Sequence, residues 1–139
     1  MKIGKILIII CLAIITFSSC KKVGEDIVGT WNFQTFDSRP QGTIIWTFKD
    51  NGELIRVLSY EGGISFDSCN YVVDKSLFTT RISVSGSEPM WSPQGGLEHI
   101  NGSYRIDALK NDVLNMTRFE LENEETAGAY LRCEMIRKQ

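Results

Sequence analysis

Few residues of this sequence have the side chains and spacing that chemistry requires. The 139 residues include four cysteines and a single histidine, His99, so no second imidazole is available for a typical metal site or a proton relay. The sequence has no glycine-rich phosphate loop, no Cys-x-x-Cys pair and no Gly-x-Ser-x-Gly nucleophile motif. We therefore expect no enzymatic activity, no cofactor and no metal site.

Cys20 follows a short apolar run at the start of the chain. Lys2 and Lys5 come first, then an apolar segment over residues 6–15, then Ser18 and Ser19 directly before the cysteine. Charged, apolar and small residues in this order are typical of a secretory signal. Ten apolar residues are too few to cross a bilayer, which needs a helix of roughly 20.

Ser18, Ser19 and Cys20 resemble a bacterial lipobox. The resemblance implies that residues 1–19 are a signal peptide and that Cys20 is acylated on its sulfur and, after cleavage, on its new amine. Several acyl chains, palmitate among them, would hold the protein firmly on a membrane. The alternative is an ordinary signal with a coincidental cysteine. A free thiol just past a cleavage site would be exposed to oxidation, which favours the lipoprotein interpretation.

The remaining chain has the length and composition of one globular domain. Subtracting residues 1–19 from 139 leaves 120 residues, enough for one core. Lys2 and Lys5 leave with the signal, so the 15 basic residues fall to 13 against 17 acidic ones, a formal charge of −4. No basic stripe is present, and we expect no nucleic acid partner. Residues 20–27 form a short tether and residues 28–139 form the domain.

The domain has the pattern of an antiparallel β meander. Segments rich in branched and aromatic residues alternate with turn residues at intervals near a dozen. Asn51-Gly52 is the sharpest turn signal, because both residues tolerate positive φ. The pattern predicts eight strands near residues 28–36, 43–49, 53–60, 67–73, 77–84, 100–108, 112–121 and 128–137. We expect them to close into an all-β, eight-stranded up-and-down barrel, because closure removes the open edges.

Gly29-Thr30-Trp31, at the head of the first predicted strand, resembles the Gly-x-Trp signature of the lipocalin family. With Cys20 ahead of it, the chain looks like the small lipocalin-like lipoproteins of Gram-negative bacteria. This resemblance implies an outer-membrane location. It also implies that Trp31 packs across the closed end of the barrel beneath an arginine from the last strands, either Arg132 or Arg137.

Alternation places a bulky set of side chains inside the barrel. An interior of this size is either filled by its own side chains or holds one small ligand. Thioethers, phenols and indoles would line a cavity that accepts an apolar guest. The candidate ligand-binding residues are Trp46, Tyr71, Trp91, Tyr104, Met116 and Met135. The other residues predicted to face inward are Trp31, Phe33, Ile44, Phe48, Cys69, Val73, Phe78, Ile82, Ile106, Leu114, Leu131 and Cys133.

Residues 85–98 form the longest predicted connection. Met90 and Trp91 lie there between Pro89 and Pro93, an apolar pair on a segment that is otherwise polar. Long connections in compact domains tend to be functional. Trp91 is predicted either to form a lid or contact surface at the barrel mouth, or to fold down as a plug on the core.

Cys69 and Cys133 are the cysteines left once Cys11 departs with the signal and Cys20 is acylated. Export to an oxidising compartment favours a disulfide between them. The strand order opposes it, since they fall on the fourth and eighth predicted strands. We expect the bridge, with two buried thiols as the alternative.

The sequence as a whole predicts a lipid-anchored envelope protein whose barrel binds a small apolar molecule. The alternative function is a protein-interaction, envelope-assembly or inhibitor module with a solid barrel core. An apolar cavity of ligand size would favour the first, and an exposed apolar patch outside a filled barrel would favour the second.

Overall fold

The structure, a computed structural model, describes residues 24, 26–34, 42–92, 96–120 and 132–139. The predicted signal peptide and Cys20 lie outside these ranges. The ten strands, numbered in chain order, are β1 (Gly29–Phe33), β2 (Thr43–Phe48), β3 (Glu53–Tyr60), β4 (Gly63–Lys75), β5 (Thr80–Ser85), β6 (Met90–Ser92), β7 (Gly96–Glu98), β8 (Gly102–Lys110), β9 (Val113–Glu120) and β10 (Arg132–Arg137).

Eight of these strands form one closed antiparallel ring. Their order around the barrel is β1-β10-β9-β8-β5-β4-β3-β2. β1 closes the ring, because Trp31 pairs with Trp46 of β2 on one side and with Arg137 of β10 on the other. Closure satisfies backbone groups that a free sheet edge would leave unpaired. The predicted all-β, eight-stranded up-and-down barrel is confirmed.

The connection predicted as irregular contains a second, smaller sheet. β6 and β7 pair as an antiparallel hairpin outside the ring, with Trp91 opposite Leu97. Their segments are short and carry apolar residues on both sides of a turn-rich Pro93-Gln94-Gly95 sequence, a hairpin pattern that the prediction did not resolve. The Trp91 side chain lies outside what the structure describes, so the choice between lid and plug stays a prediction.

The barrel has two different ends. At the end where β1 begins and β10 finishes, which we call the short-turn end, tight turns join β2 to β3, β4 to β5 and β8 to β9. The first of these confirms the predicted Asn51-Gly52 hairpin. Gly52 has a φ of +84°, and the Asn51 side chain accepts a hydrogen bond from the Glu53 backbone N–H at 3.0 Å. The opposite end carries the longer connections and is called the long-loop end.

Inward and outward side chains alternate along the barrel strands, as the period of a strand requires. Phe78 was predicted to face inward, and this is wrong. It lies in the β4–β5 turn ahead of β5, and its side chain is 94% exposed. Leu131 lies outside the described residues. The buried core cluster contains Ile27, Trp31, Trp46, Phe48, Leu54, Cys69, Tyr71, Ile82, Val84, Ile100, Tyr104, Leu114, Met116, Cys133 and Met135, with Phe33, Ile44, Val73, Ile106 and Leu109 packed against it.

Trp31 seals the short-turn end. Its side chain is fully buried, and its Nε1 donates a hydrogen bond to the Ile27 carbonyl at 2.9 Å. The Arg137 guanidinium lies 4.2 Å from the indole centroid, and its Nη1 donates to the Val28 carbonyl at 2.9 Å. Arg137 is thus the arginine over the tryptophan.

Gly29 is required beside this contact. Its φ is +138°, a conformation that other residues rarely adopt, and a Cβ at this position would collide with Arg137 Nη1. Arg132, the other arginine considered, forms an ion pair with Glu134 at 3.0 Å.

Replacing Trp31 by alanine should remove the seal of the short-turn end. Loss of a fully buried indole costs about 3–5 kcal/mol of unfolding free energy, and Arg137 would also lose the ring that it covers. Urea denaturation of Trp31→Ala checks this. The matched control is Val72→Thr on the exposed outer face of β4, which should change stability by no more than about 0.5 kcal/mol. Equal midpoints for the two variants would contradict the sealing role.

Candidate functional site

Arg56 and Asp67 form an ion pair inside the barrel. They are direct cross-strand partners on β3 and β4, and alternation points both side chains inward. Arg56 donates from Nε at 2.8 Å and from Nη2 at 2.6 Å, both to Asp67 Oδ2, and both residues are buried. A charged pair out of water is tolerated only when its remaining donors and acceptors are also used.

The chain after β5 supplies those partners. Arg56 Nη2 donates to Ser87 Oγ at 2.8 Å and to the Glu88 carbonyl at 2.9 Å, while the Glu88 N–H donates to Asp67 Oδ1 at 3.1 Å. β5 pairs with residues 70–75 of β4 and does not reach residues 63–69 of that strand. Ser87 and Glu88 therefore lie beside the part of β4 that β5 does not reach.

Ser87 also holds the two ends of the inserted hairpin together. Its N–H donates to Asn101 Oδ1 at 2.7 Å, and its carbonyl accepts from Asn101 Nδ2 at 3.2 Å. The Ile100 N–H donates to Ser87 Oγ at 3.2 Å. The β6–β7 hairpin thus starts and ends at a base fixed to the buried ion pair.

Arg118 is the second buried cation at this end. Its residue is only 8% exposed, and its Nη1 donates to the His99 carbonyl at 3.1 Å. Tyr104 lies against it and donates its hydroxyl proton to the Ile100 carbonyl at 2.7 Å. In the part of the chain that the structure describes, no carboxylate forms an ion pair with Arg118.

Two further properties describe the surroundings of Arg118. Burial raises the pKa of Tyr104, against the opposing effect of Arg118 and Arg56, so the phenol is neutral near pH 7. Nδ1 of His99 is buried without a hydrogen-bond partner. Of the two arginines that are buried among the described residues, Arg56 has Asp67 as its counter-ion, and Arg118 has no carboxylate partner within the same part of the chain.

Five of the six predicted ligand-binding residues belong to one buried core. Trp46, Tyr71, Tyr104, Met116 and Met135 are all in it. They do not gather at one end, because the Tyr71 hydroxyl donates to the Lys49 carbonyl at 2.6 Å, at the short-turn end, whereas Tyr104 lies beside Arg118. Their role in binding stays a prediction. The sixth, Trp91, contributes its backbone to β6, and its side chain is outside the described part.

An aromatic row lines one wall of the interior. Phe33 and Trp46 have ring centroids 5.9 Å apart, Trp46 and Phe48 are 6.2 Å apart, and Phe48 meets Tyr71 edge-on at 5.0 Å. Aromatic pairs in these arrangements stabilise beyond their buried area. The row runs along β1, β2 and β4 and rigidifies that wall.

The expected disulfide is not formed. Cys69 and Cys133 are both free and buried. Cys69 is on β4 and Cys133 on β10, strands that are four places apart in a ring of eight and so occupy opposite walls. Bridging requires Cα atoms within about 7 Å, and the intervening core side chains separate these walls. The disulfide was expected from the predicted compartment, and the positions of the two strands in the ring do not allow it.

Sequence reasoning missed Arg56, Asp67, Ser87 and Arg118. Three of them were detectable from alternation. Arg56 lies between Leu54 and Leu58, Asp67 lies two residues before Cys69, and Arg118 lies two residues after Met116. A charged residue at one of the alternate strand positions that are otherwise apolar predicts a charged side chain buried inside the barrel. Ser87 follows Gly86 in a loop and has no comparable signal.

No family model matches this chain, and no curated protein or solved structure is detectably similar to it. Among the described residues, no helix is both long and apolar enough to span a membrane. Within the same ranges, no three or more His, Cys, Asp or Glu side chains gather as a metal site.

The two thiols should be free and unreactive in the folded protein. Burial raises the pKa of Cys69 to about 11 from an ordinary value near 9, and burial also raises the pKa of Cys133. A chain that lacks residues 1–20 should therefore, without reductant, react slowly with a thiol reagent when folded and show two thiols when unfolded. No titratable thiol after unfolding would mean that a disulfide forms.

The same burial predicts how stability changes with pH. The unfolded chain loses these protons near pH 9, while the folded protein retains them to higher pH, so unfolding is increasingly favoured above about pH 9. A Cys69→Ala, Cys133→Ala double variant is the control in which this alkaline loss should be smaller.

Proposed function

We propose that this protein is a lipid-anchored envelope lipoprotein whose barrel binds a small apolar molecule with an anionic head group. The anchor rests on the lipobox-like sequence around Cys20. The ligand class rests on one observation, the buried guanidinium of Arg118 without a carboxylate partner in the described part of the chain. The ligand would enter from the long-loop end.

The argument for an anionic head group is electrostatic. Removing an ion from water costs several kcal/mol even after relaxation, and a guanidinium has five N–H donors. The contacts of Arg118 with His99 and Tyr104 involve neutral partners. A carboxylate can accept two parallel hydrogen bonds from a guanidinium and neutralise its charge. One uncompensated charge calls for one anionic group.

The inward face of β9 beyond Arg118 is apolar. Leu114 and Met116 precede Arg118 on the inward face of β9, and Met116 pairs in register with Cys133 of β10. Thioether side chains adapt to irregular guests, and an eight-stranded barrel has room for at most one small ligand. A buried cation beside apolar residues favours an amphiphile such as a long-chain carboxylic acid, whose tail would have to displace side chains that fill this part of the core.

The first test compares a fluorescent polyene fatty acid with its methyl ester. Wild-type protein should bind the acid more tightly, because only the acid carries the charge that Arg118 lacks. Arg118→Met should weaken acid binding about 10- to 100-fold, in line with about 1.5–3 kcal/mol for a hydrogen bond to a charged group, and leave ester binding nearly unchanged. Fluorescence titration measures both affinities.

Arg81→Met is the matched control, because Arg81 is on the exterior over the Phe119 ring and should not affect either probe. Equal wild-type affinity for acid and ester would contradict the anionic head group. Failure of both probes to bind would contradict ligand binding as a whole.

A second candidate function is a protein-interaction, envelope-assembly or inhibitor module with a filled barrel. The observation in its favour is an apolar row on the outer wall, where Ile45, Val57 and Phe66 are register partners across β2, β3 and β4. Phe66 is exposed. If neither probe binds, this row becomes the leading candidate for the working surface.

The anchor has its own test. Cys20→Ser should move the protein from the membrane fraction to the soluble periplasm or medium, because serine cannot carry the thioether-linked lipid. Fractionation and incorporation of labelled palmitate measure this. Incorporation at wild-type level in the variant would contradict the assignment of Cys20 as the lipid-bearing residue.

A further inference from the structure

Two large apolar side chains project from the barrel at its short-turn end. Leu77 and Phe78 form the tip of the turn between β4 and β5 and are 95% and 94% exposed. Turn tips are commonly formed by Gly, Asn, Asp, Ser or Pro, each of which suits the local backbone and water. A Leu-Phe pair at such a tip has no packing role in the barrel.

The turn that carries the pair is fixed by its own hydrogen bonds. The Ser76 N–H donates to the Thr79 carbonyl at 2.8 Å, and the Thr79 N–H donates to Ser76 Oγ at 3.2 Å. The hydroxyls of Ser76 and Thr79 are also 2.9 Å apart. These bonds close the loop at its base, so Leu77 and Phe78 are held away from the barrel instead of folding back onto it.

The same end receives the N-terminal tether. β1 begins at Gly29 at the short-turn end, and Ile27 packs into the core there. Eight peptide units separate Cys20 from Val28, and a fully extended chain covers at most about 3.6 Å per residue, so they reach about 30 Å. A lipid on Cys20 would therefore keep the short-turn end within about 30 Å of the bilayer.

The exposed charged residues described at this end are not predominantly basic. They include two basic residues, Lys110 and Lys138, and three acidic ones, Asp50, Asp74 and Asp112. Attraction to anionic lipid requires an excess of basic residues, and these exposed residues do not provide one. Contact with a bilayer would depend on the apolar pair.

We propose that the Leu77-Phe78 turn inserts into the interface of the membrane that holds the lipid anchor, so that the barrel stands on its short-turn end with its long-loop end facing away. This inference rests on the proposed anchor at Cys20. It adds a second, non-covalent attachment that fixes orientation, since a lipid alone holds a protein without setting its direction.

The test uses the full, lipidated protein in phosphatidylcholine vesicles. Phe78→Trp places a reporter in the proposed contact, and Phe66→Trp, at an exposed apolar position near the β3–β4 turn of the long-loop end, is the matched control. We expect the tryptophan fluorescence added at residue 78 to shift to shorter wavelength on vesicle binding and to be quenched by lipid with brominated acyl chains. The fluorescence added at residue 66 should show neither the shift nor the quenching. Added anionic lipid should change neither result.

The outcomes separate this inference from the proposed anchor. A lipid-processed chain that does not sediment with vesicles overturns the anchor, and the inference with it. A chain that sediments but shows no quenching at residue 78 overturns the inference alone. Quenching at residue 66 instead overturns the orientation. If residue 78 is not quenched and the protein instead forms dimers that cross-link through that residue, the turn contacts a second copy of the chain and not the membrane.

Discussion

The contact between Arg137 and Trp31 is the constraint on which the rest of the structure depends. Trp31 is on the first barrel strand and Arg137 ends the last, and they are register partners. A cation over an indole stabilises by about 0.5–2 kcal/mol depending on burial, and the Val28 carbonyl accepts a further bond from the same guanidinium. The contact therefore joins the first and last barrel strands, closes the ring and covers the core at the short-turn end. Gly29 lies beside this contact with a φ of +138°, a backbone conformation that strains any other residue.

With one end sealed by an indole and a cation, the two ends of the barrel can differ in chemistry. The long-loop end contains buried charged side chains, which cost the most free energy to remove from water. Two of them, Arg56 and Asp67, form an ion pair, and Ser87 and Glu88 complete the hydrogen bonds of that pair. Among the described residues, Arg118 has no such carboxylate partner. Arg56, the other buried guanidinium of this barrel, does have one, and this contrast favours an external anion at Arg118.

Much of the fold was predictable because strand alternation and turn residues are local properties. All eight predicted strands correspond to barrel strands, and Asn51-Gly52 forms the predicted turn. Phe78 was misplaced because a Leu-Phe pair in a turn looks like the start of a strand. The buried charges were missed because composition assigns Arg and Asp to the surface, and their pairing depends on register between strands. The predicted strand order already opposed a bridge between Cys69 and Cys133, and the disulfide was expected only because export to an oxidising compartment was expected.

The central claim is that the Arg118 guanidinium receives the anionic head of an apolar ligand, and carbon-13 NMR of a carboxyl-labelled long-chain acid bound to the protein tests it most directly. A nearby cation favours the ionised form and lowers the pKa of a carboxyl group. The account predicts that the bound carboxyl signal stays at its ionised position well below the ordinary carboxyl range of about pH 4 to 5, and that Arg118→Met abolishes this protection. A bound carboxyl that titrates within or above the ordinary range in the wild-type protein would contradict it.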